Sequence, residues 1–123
     1  MTDATHEYFM EEAARLASQG VRNGKGGPFG AVVVLNGQVV GRGSNCVTST
    51  NDPTAHAEVQ AIRDACQHLN NWQLQGATIY TSCEPCPMCL AAIYWARLEK
   101  IYYACSQHTA AAYGFDDSFI YQQ

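Results

Sequence analysis

The sequence predicts a three-layer α/β domain, with helices on both faces of a mixed central sheet. Three observations lead there. An Asn36-Gly37 pair between two apolar runs marks a two-residue hairpin turn. After it, strand-like and helix-like stretches alternate, in the overall order α-β-β-α-β-α-β, as a partly parallel sheet covered by helices requires. The 123 residues are one domain's worth, and 47% of them are apolar. A domain of this size buries roughly two-thirds of its unfolded surface, enough for a real core.

Each element has its own signal. Residues 6–18 read as an amphipathic helix, with Phe9, Ala13, Leu16 and Ala17 on one face and Glu7, Glu11 and Glu12 on the other. Gly20 is the expected stop. Residues 23–28, Asn-Gly-Lys-Gly-Gly-Pro, form a glycine-rich loop. It is not a phosphate loop, because it lacks the G-K-[ST] element and precedes a strand. Residues 29–35 are a buried strand and 38–44 its returning partner. A loop over 45–55 leads to a helix over 56–69, whose apolar stripe is Val59, Ile62, Cys66 and Leu69. Residues 78–82 are a third strand. Residues 86–98 are a helix carrying Leu90, Ile93 and Trp95, and 101–105 a fourth strand. Farther on, 109–112 suit a helical turn and 119–121 are a short apolar patch. The two later helices are expected to start close to one edge of the sheet, with their N-termini meeting.

The chemistry is concentrated in two strings, His56-Ala57-Glu58 and Pro85-Cys86-Pro87-Met88-Cys89. Cys86 and Cys89, three apart, share a helix face and can reach one metal. Pro85 is placed to start that helix, and a helix N-terminus favours thiolates over thiols. His56 and Glu58 can aim into one cleft if they sit in an irregular first turn. Asn51-Asp52-Pro53-Thr54 precedes them with turn and capping residues. One imidazole and two thiolates leave a fourth zinc position for water, as catalytic sites do and closed structural sites do not. Zinc brings the pKa of such a water to about 7, and Glu58 is then the base that takes its proton. H-x-E…P-C-x-x-C is the signature of zinc-dependent base deaminases.

Other readings of these residues stay open at this point. A single His or Glu is ordinarily structural or solvated, and C-x-x-C can be a redox pair. Cys83, Cys86 and Cys89 also spell C-x-x-C-x-x-C, an iron–sulfur spacing, but position 93 is Ile where a fourth Cys would follow. A closed site using Cys83 as fourth ligand is a further alternative. Cys83, at the end of a strand, reads instead as a small buried residue beside the site. Only the catalytic reading uses Glu58 and both prolines.

Charge and cysteine usage narrow the partners. The net charge is −4 and the seven Lys and Arg do not cluster, which argues against a large polyanion such as tRNA or DNA. The start Met1-Thr2-Asp3 shows no signal peptide, and no apolar run reaches membrane-spanning length. Six cysteines without a secretory signal fit zinc thiolates and free thiols in a reducing cytoplasm.

Beyond the motif, five stretches carry a resemblance: GGPFGAVVV (26–34), STNDPTAHAE (49–58), YTSCEPCPMCL (80–90), AIYWAR (92–97) and GFDDSFIY (114–121). On these the chain resembles the cytidine-deaminase superfamily, and within it bacterial guanine deaminases, the last stretch being specific to that branch. The tRNA adenosine deaminases share the first four in looser form. The resemblance implies a cytidine-deaminase-like fold, one zinc ion per chain on His56, Cys86 and Cys89, and hydrolysis of guanine to xanthine and ammonia. Glu58 would shuttle protons from the attacking water to the ring nitrogen beside C2 and to the leaving amine. Asn45, Phe29, Trp95, Asp117 and Ala57 would bind the base: Asn45 its polar edge, Phe29 and Trp95 its faces, Asp117 its N–H donors. It further implies a homodimer. Residues 1–123 would form one deaminase domain without the C-terminal segment that covers the active site in longer relatives. The alternatives are another base (adenine, cytosine or tRNA adenosine) or a zinc-stabilised binding domain without turnover.

Overall fold

Asn36 and Gly37 turn the chain as their residue types predict. Both take positive φ, 52° and 77°, which a hairpin turn of this kind needs at its two central residues. Strand β1 (Gly30–Leu35) thereby returns antiparallel as β2 (Gln38–Ser44). The computed structural model describes residues 3–106. In it β1 also pairs antiparallel with β3 (Thr78–Cys83), and β4 (Lys100–Cys105) lies parallel to β3, giving the sheet order β2-β1-β3-β4.

The alternation of side chains along β1 and β3 separates two cores. Val32, Val34 and Tyr80 pack with Phe9 of helix α1 (Asp3–Arg22) on one face. Ala31, Val33 and Ile79 pack on the other face with Ala57, Ala61 and Ala65 of α3 (Ala57–Leu69) and Ile93 of α4 (Pro87–Trp95). With helices on both faces, β1 is a continuous apolar run instead of an alternating one. Parallel β3 and β4 need a crossover, and α4 supplies it. The three-layer architecture and mixed sheet read from the sequence are therefore those of the structure.

Several boundaries differ from the sequence reading, each for a local reason. Helix α1 runs through Gly20, which is not its stop. Gly20 instead lets the helix pass close to Ser44, whose Cβ would lie 3.1 Å from an added methyl. The helix ends on Gly24, whose φ is 69°. The Lys25 N–H reaches the Gly20 carbonyl at 2.9 Å and the Gly24 N–H the Val21 carbonyl at 3.1 Å, a Schellman closure. The loop expected over 45–55 contains a one-turn helix, α2 (Val47–Thr50). Helix α4 ends at Trp95, three residues short of expectation, because Arg97 takes a positive φ of 66°. Residues 109–112 and 119–121 lie outside the described residues. Among the described ones, no helix is long and apolar enough to cross a membrane.

Because β1 runs against both neighbours, its start lies at the same end of the sheet as the ends of β2 and β3. The segments entering α3 and α4 leave from that end. The helix starts thus meet at the strand ends, on one face of the sheet.

Helix α3 sits very close to β2. A Cβ on Gly43 would collide with the Ala57 carbonyl oxygen and the Ala61 N–H. The expected result for Gly43→Val is a loss of about 1–3 kcal/mol in unfolding free energy, measured by urea denaturation. An unchanged midpoint would mean that α3 is not held against β2 as described.

Candidate metal centre

Both strings of the motif sit at helix starts, in the same backbone conformation. His56 is the N-cap of α3 (φ −70°, ψ 157°) and Cys86 the N-cap of α4 (φ −70°, ψ 169°). Pro87, not Pro85, is the first helical residue. Its fixed φ suits that position and its missing N–H costs nothing there. Cys89 follows one turn later, fully buried, on the face it shares with Cys86.

A braced loop delivers His56. Asp52 accepts from the Thr54 N–H at 2.9 Å and the Thr54 hydroxyl at 2.7 Å, and Arg63 stands 3.7 Å from its other oxygen. The Thr54 hydrogen bonds, more than Arg63, hold the Asp52 carboxyl below its ordinary range. The His56 N–H then donates to the Thr54 carbonyl at 2.8 Å. The sequence showed turn chemistry here, but not that it aims the imidazole.

The three donors converge. Nδ1 of His56 lies 3.6 Å from Sγ of Cys86 and 3.5 Å from Sγ of Cys89, and all three donor atoms lie within 4.8 Å of one another. Tetrahedral zinc with its usual bond lengths, about 2.3 Å to sulfur and 2.1 Å to nitrogen, sets sulfur and nitrogen about 3.6 Å apart. The donor set therefore fits zinc, through Nδ1 of the imidazole. The Cys86 thiol is pulled down to about 4, first by the hydrogen bond from the Cys89 thiol, with His56 assisting. The same bond pushes Cys89 up. One thiolate is ready for a cation and the second proton leaves when the ion binds.

Cys83 is not part of this group. It lies opposite Cys105 in the β3–β4 register, and the two thiols interact. Burial first, then Cys105, pushes the Cys83 thiol up to about 12. Among the described residues the donor group has three members, which leaves the closed four-ligand and iron–sulfur readings without their fourth ligand.

Glu58, in the first turn of α3, is 8% exposed. Burial raises its carboxyl above the ordinary range, and the nearby Cys86 charge raises it further. The carboxyl also meets the Cys89 thiol. A buried carboxylate beside the donor trio, with its proton affinity raised, has the properties of a general base.

The proposed base-binding residues separate into those the structure gathers and those it does not. Ala57 is fully buried at the start of α3. Asn45 and Phe29 continue the β1–β2 pairing toward the same end, through the Asn45 N–H to the Phe29 carbonyl at 3.1 Å. Phe29 packs against the α3–α4 core. Trp95 is not brought to the cluster. It is nine residues past Cys86, about 13 Å along the helix axis, and is 65% exposed. Its ring meets Tyr94 edge-on, with the Arg97 guanidinium 5.7 Å from its centre. Trp95 thus stands at the opposite end of α4 from Cys86. Asp117 lies outside the described residues.

Comparison with known proteins agrees with this geometry. The family model of the cytidine and deoxycytidylate deaminase zinc-binding region matches residues 3–105. Guanine deaminase of Bacillus subtilis is 58% identical over 118 residues, 96% of this chain and 76% of that protein. The X-ray structure of guanine deaminase from Bacillus subtilis superposes with a TM-score of 0.94, over all of this chain and 76% of that one. The tRNA-specific adenosine deaminase of Bacillus subtilis is 41% identical over 77% of this chain and 58% of its own length.

The expected metal content is one zinc per chain, with none retained after dialysis by Cys89→Ser or His56→Ala. Elemental analysis against protein concentration checks it. Full zinc retention in both variants would sink the three-ligand site.

Proposed function

We propose that this chain, which belongs to the cytidine and deoxycytidylate deaminase family, hydrolyses guanine to xanthine and ammonia. The observation that carries the reading is the buried Glu58 carboxyl beside a three-donor zinc site. A structural metal site has no use for such a group. The choice of guanine rests on the 58% identity to the Bacillus subtilis enzyme across nearly the whole chain.

His56, Cys86 and Cys89 would hold the zinc ion, whose Lewis acidity would bring a water beside it to a pKa of about 7. Glu58 takes a proton from the attacking water as its oxygen adds to C2. It passes that proton to the adjacent ring nitrogen, then takes the second proton from the oxygen now bonded to C2 and gives it to the exocyclic amine; the C2–N bond breaks, ammonia departs and the C2 carbonyl of xanthine forms. Burial makes Glu58 the better proton acceptor and excludes competing solvent. Asn45 hydrogen-bonds the polar edge of the base, while Phe29 supplies apolar surface for its flat face. Asp117 accepts from the N–H donors of guanine.

The sparse basic residues, seven Lys and Arg in all, favour a free base over tRNA. Six free cysteines fit a reducing cytoplasm. A homodimer is the assembly we favour. Leu90, Tyr94 and Trp95 leave α4 apolar on the side away from the sheet, 45%, 66% and 65% exposed, and such patches mark interfaces.

Zinc-loaded protein should release ammonia from guanine, but not at comparable rates from adenine, cytosine or adenosine, each supplied separately. Glu58→Gln should keep zinc and fold while turnover falls by at least about 10²–10⁴-fold. Wild-type turnover in that variant would end the proton-shuttle reading, and a preference for adenosine in tRNA the guanine reading. By light scattering, Trp95→Glu should shift the protein from dimer toward monomer; an unchanged mass would remove α4 from the interface.

A further inference from the structure

The glycine-rich loop between α1 and β1 has no part in the metal site, yet one of its residues meets a base-binding candidate. A Cβ on Gly26 would stand 2.5 Å from Oδ1 of Asn45 and 3.0 Å from its carbonyl carbon, and nearer still to its carbonyl oxygen. Asn45 supplies all three of the nearest atoms. Asn45 could not yield without losing its own anchors. Its N–H donates to the Phe29 carbonyl at 3.1 Å, and its Oδ1 accepts from the Val47 N–H, also at 3.1 Å. With Oδ1 taken, Nδ2 is the side-chain donor left over, and it has no hydrogen-bond partner among the described residues.

We propose that Gly26 is a positioning residue for base recognition: its missing side chain leaves the room in which Asn45 is pinned, so that Nδ2 is presented to an acceptor on the base. The proposal deepens the guanine reading and rests on it through Asn45. A methyl at position 26 pushes on both the Asn45 side chain and its backbone. Pivoted about the Phe29 and Val47 bonds, Nδ2 would move by a sizeable fraction of a hydrogen-bond length, enough to lose most of its bond to the substrate. His56, Cys86, Cys89 and Glu58 sit on other segments and keep their places.

Steady-state kinetics on zinc-loaded wild type, Gly26→Ala, Asn45→Ala and the double variant test this, with zinc content and Tm recorded for each. Both single variants should raise KM for guanine about tenfold, the scale of one hydrogen bond. kcat should change much less and zinc stay at one per chain. In the Asn45→Ala background, Gly26→Ala should have no further effect on KM, because its target is gone. Gly24→Asn is the control in the same loop, since Gly24 has φ 69° and open space around its Cβ; KM should stay at the wild-type value. A wild-type KM in Gly26→Ala, or an effect that simply multiplies with that of Asn45→Ala, overturns the proposal. A wild-type KM in Asn45→Ala overturns the role of Asn45 and the proposal with it. Inactivity of the wild type on guanine overturns the reading beneath both. Should Gly26→Ala not fold, Asn45→Asp decides. It keeps the oxygen that meets Val47 and lacks the Nδ2 donor, so KM should rise as in Asn45→Ala, and an unchanged KM overturns the proposal.

Discussion

The convergence of two helix N-termini on one face of the sheet is the constraint from which the site follows. His56 and Cys86 are both N-cap residues, in nearly the same backbone conformation. Neither is a residue type that ordinarily caps a helix. The His56 ring makes no capping bond; it faces the two thiols at 3.5 and 3.6 Å. An N-cap side chain leaves the helix at its tip, so two such tips brought together make a donor cluster without bending either helix. The same ends carry partial positive charge, which favours the thiolate of Cys86.

That arrangement requires the helices to lie very close to the sheet, and small residues make it possible. Ala57, Ala61 and Ala65 form the buried face of α3, while β2 offers Gly41 and Gly43 beneath them. Backbone therefore approaches backbone, and the N-terminus of α3 is located by hard contacts instead of by long side chains. Close packing of this kind transmits small displacements. The loop before α3 adds polar bracing through Asp52, Thr54 and Arg63. The Glu58 carboxyl gains its properties from the same closeness: Glu58 is in the first turn of a helix pressed against the sheet, so it is buried, and burial raises its proton affinity.

Much of this was legible in the chain. The hairpin at Asn36-Gly37, β2 to the residue, and the metal donors all followed from local patterns, because turn chemistry, period-two apolarity and ligand spacing act over a few residues. Misreadings arose where two signals competed. Gly20 resembled a helix stop, yet its role is to pass Ser44, a contact with a strand more than twenty residues later; Gly24 carried the true stop. Pro85 and Pro87 both suit a helix start, and only the backbone distinguished them.

Residue types and spacing by themselves determined the donor set, the presence of an unliganded carboxylate beside it, and the order of strands and helices. These depend on covalent connectivity and on short-range sterics, which the sequence states directly. Tertiary structure alone decided that Nδ1 is the imidazole donor, that Cys83 turns to Cys105 instead of to the metal, and that Gly26 faces Asn45. Each of these joins residues far apart in the chain, through a strand register or a packing distance. Local patterns carry no information about such distances; they are set only when the sheet and its two helix layers close on one another.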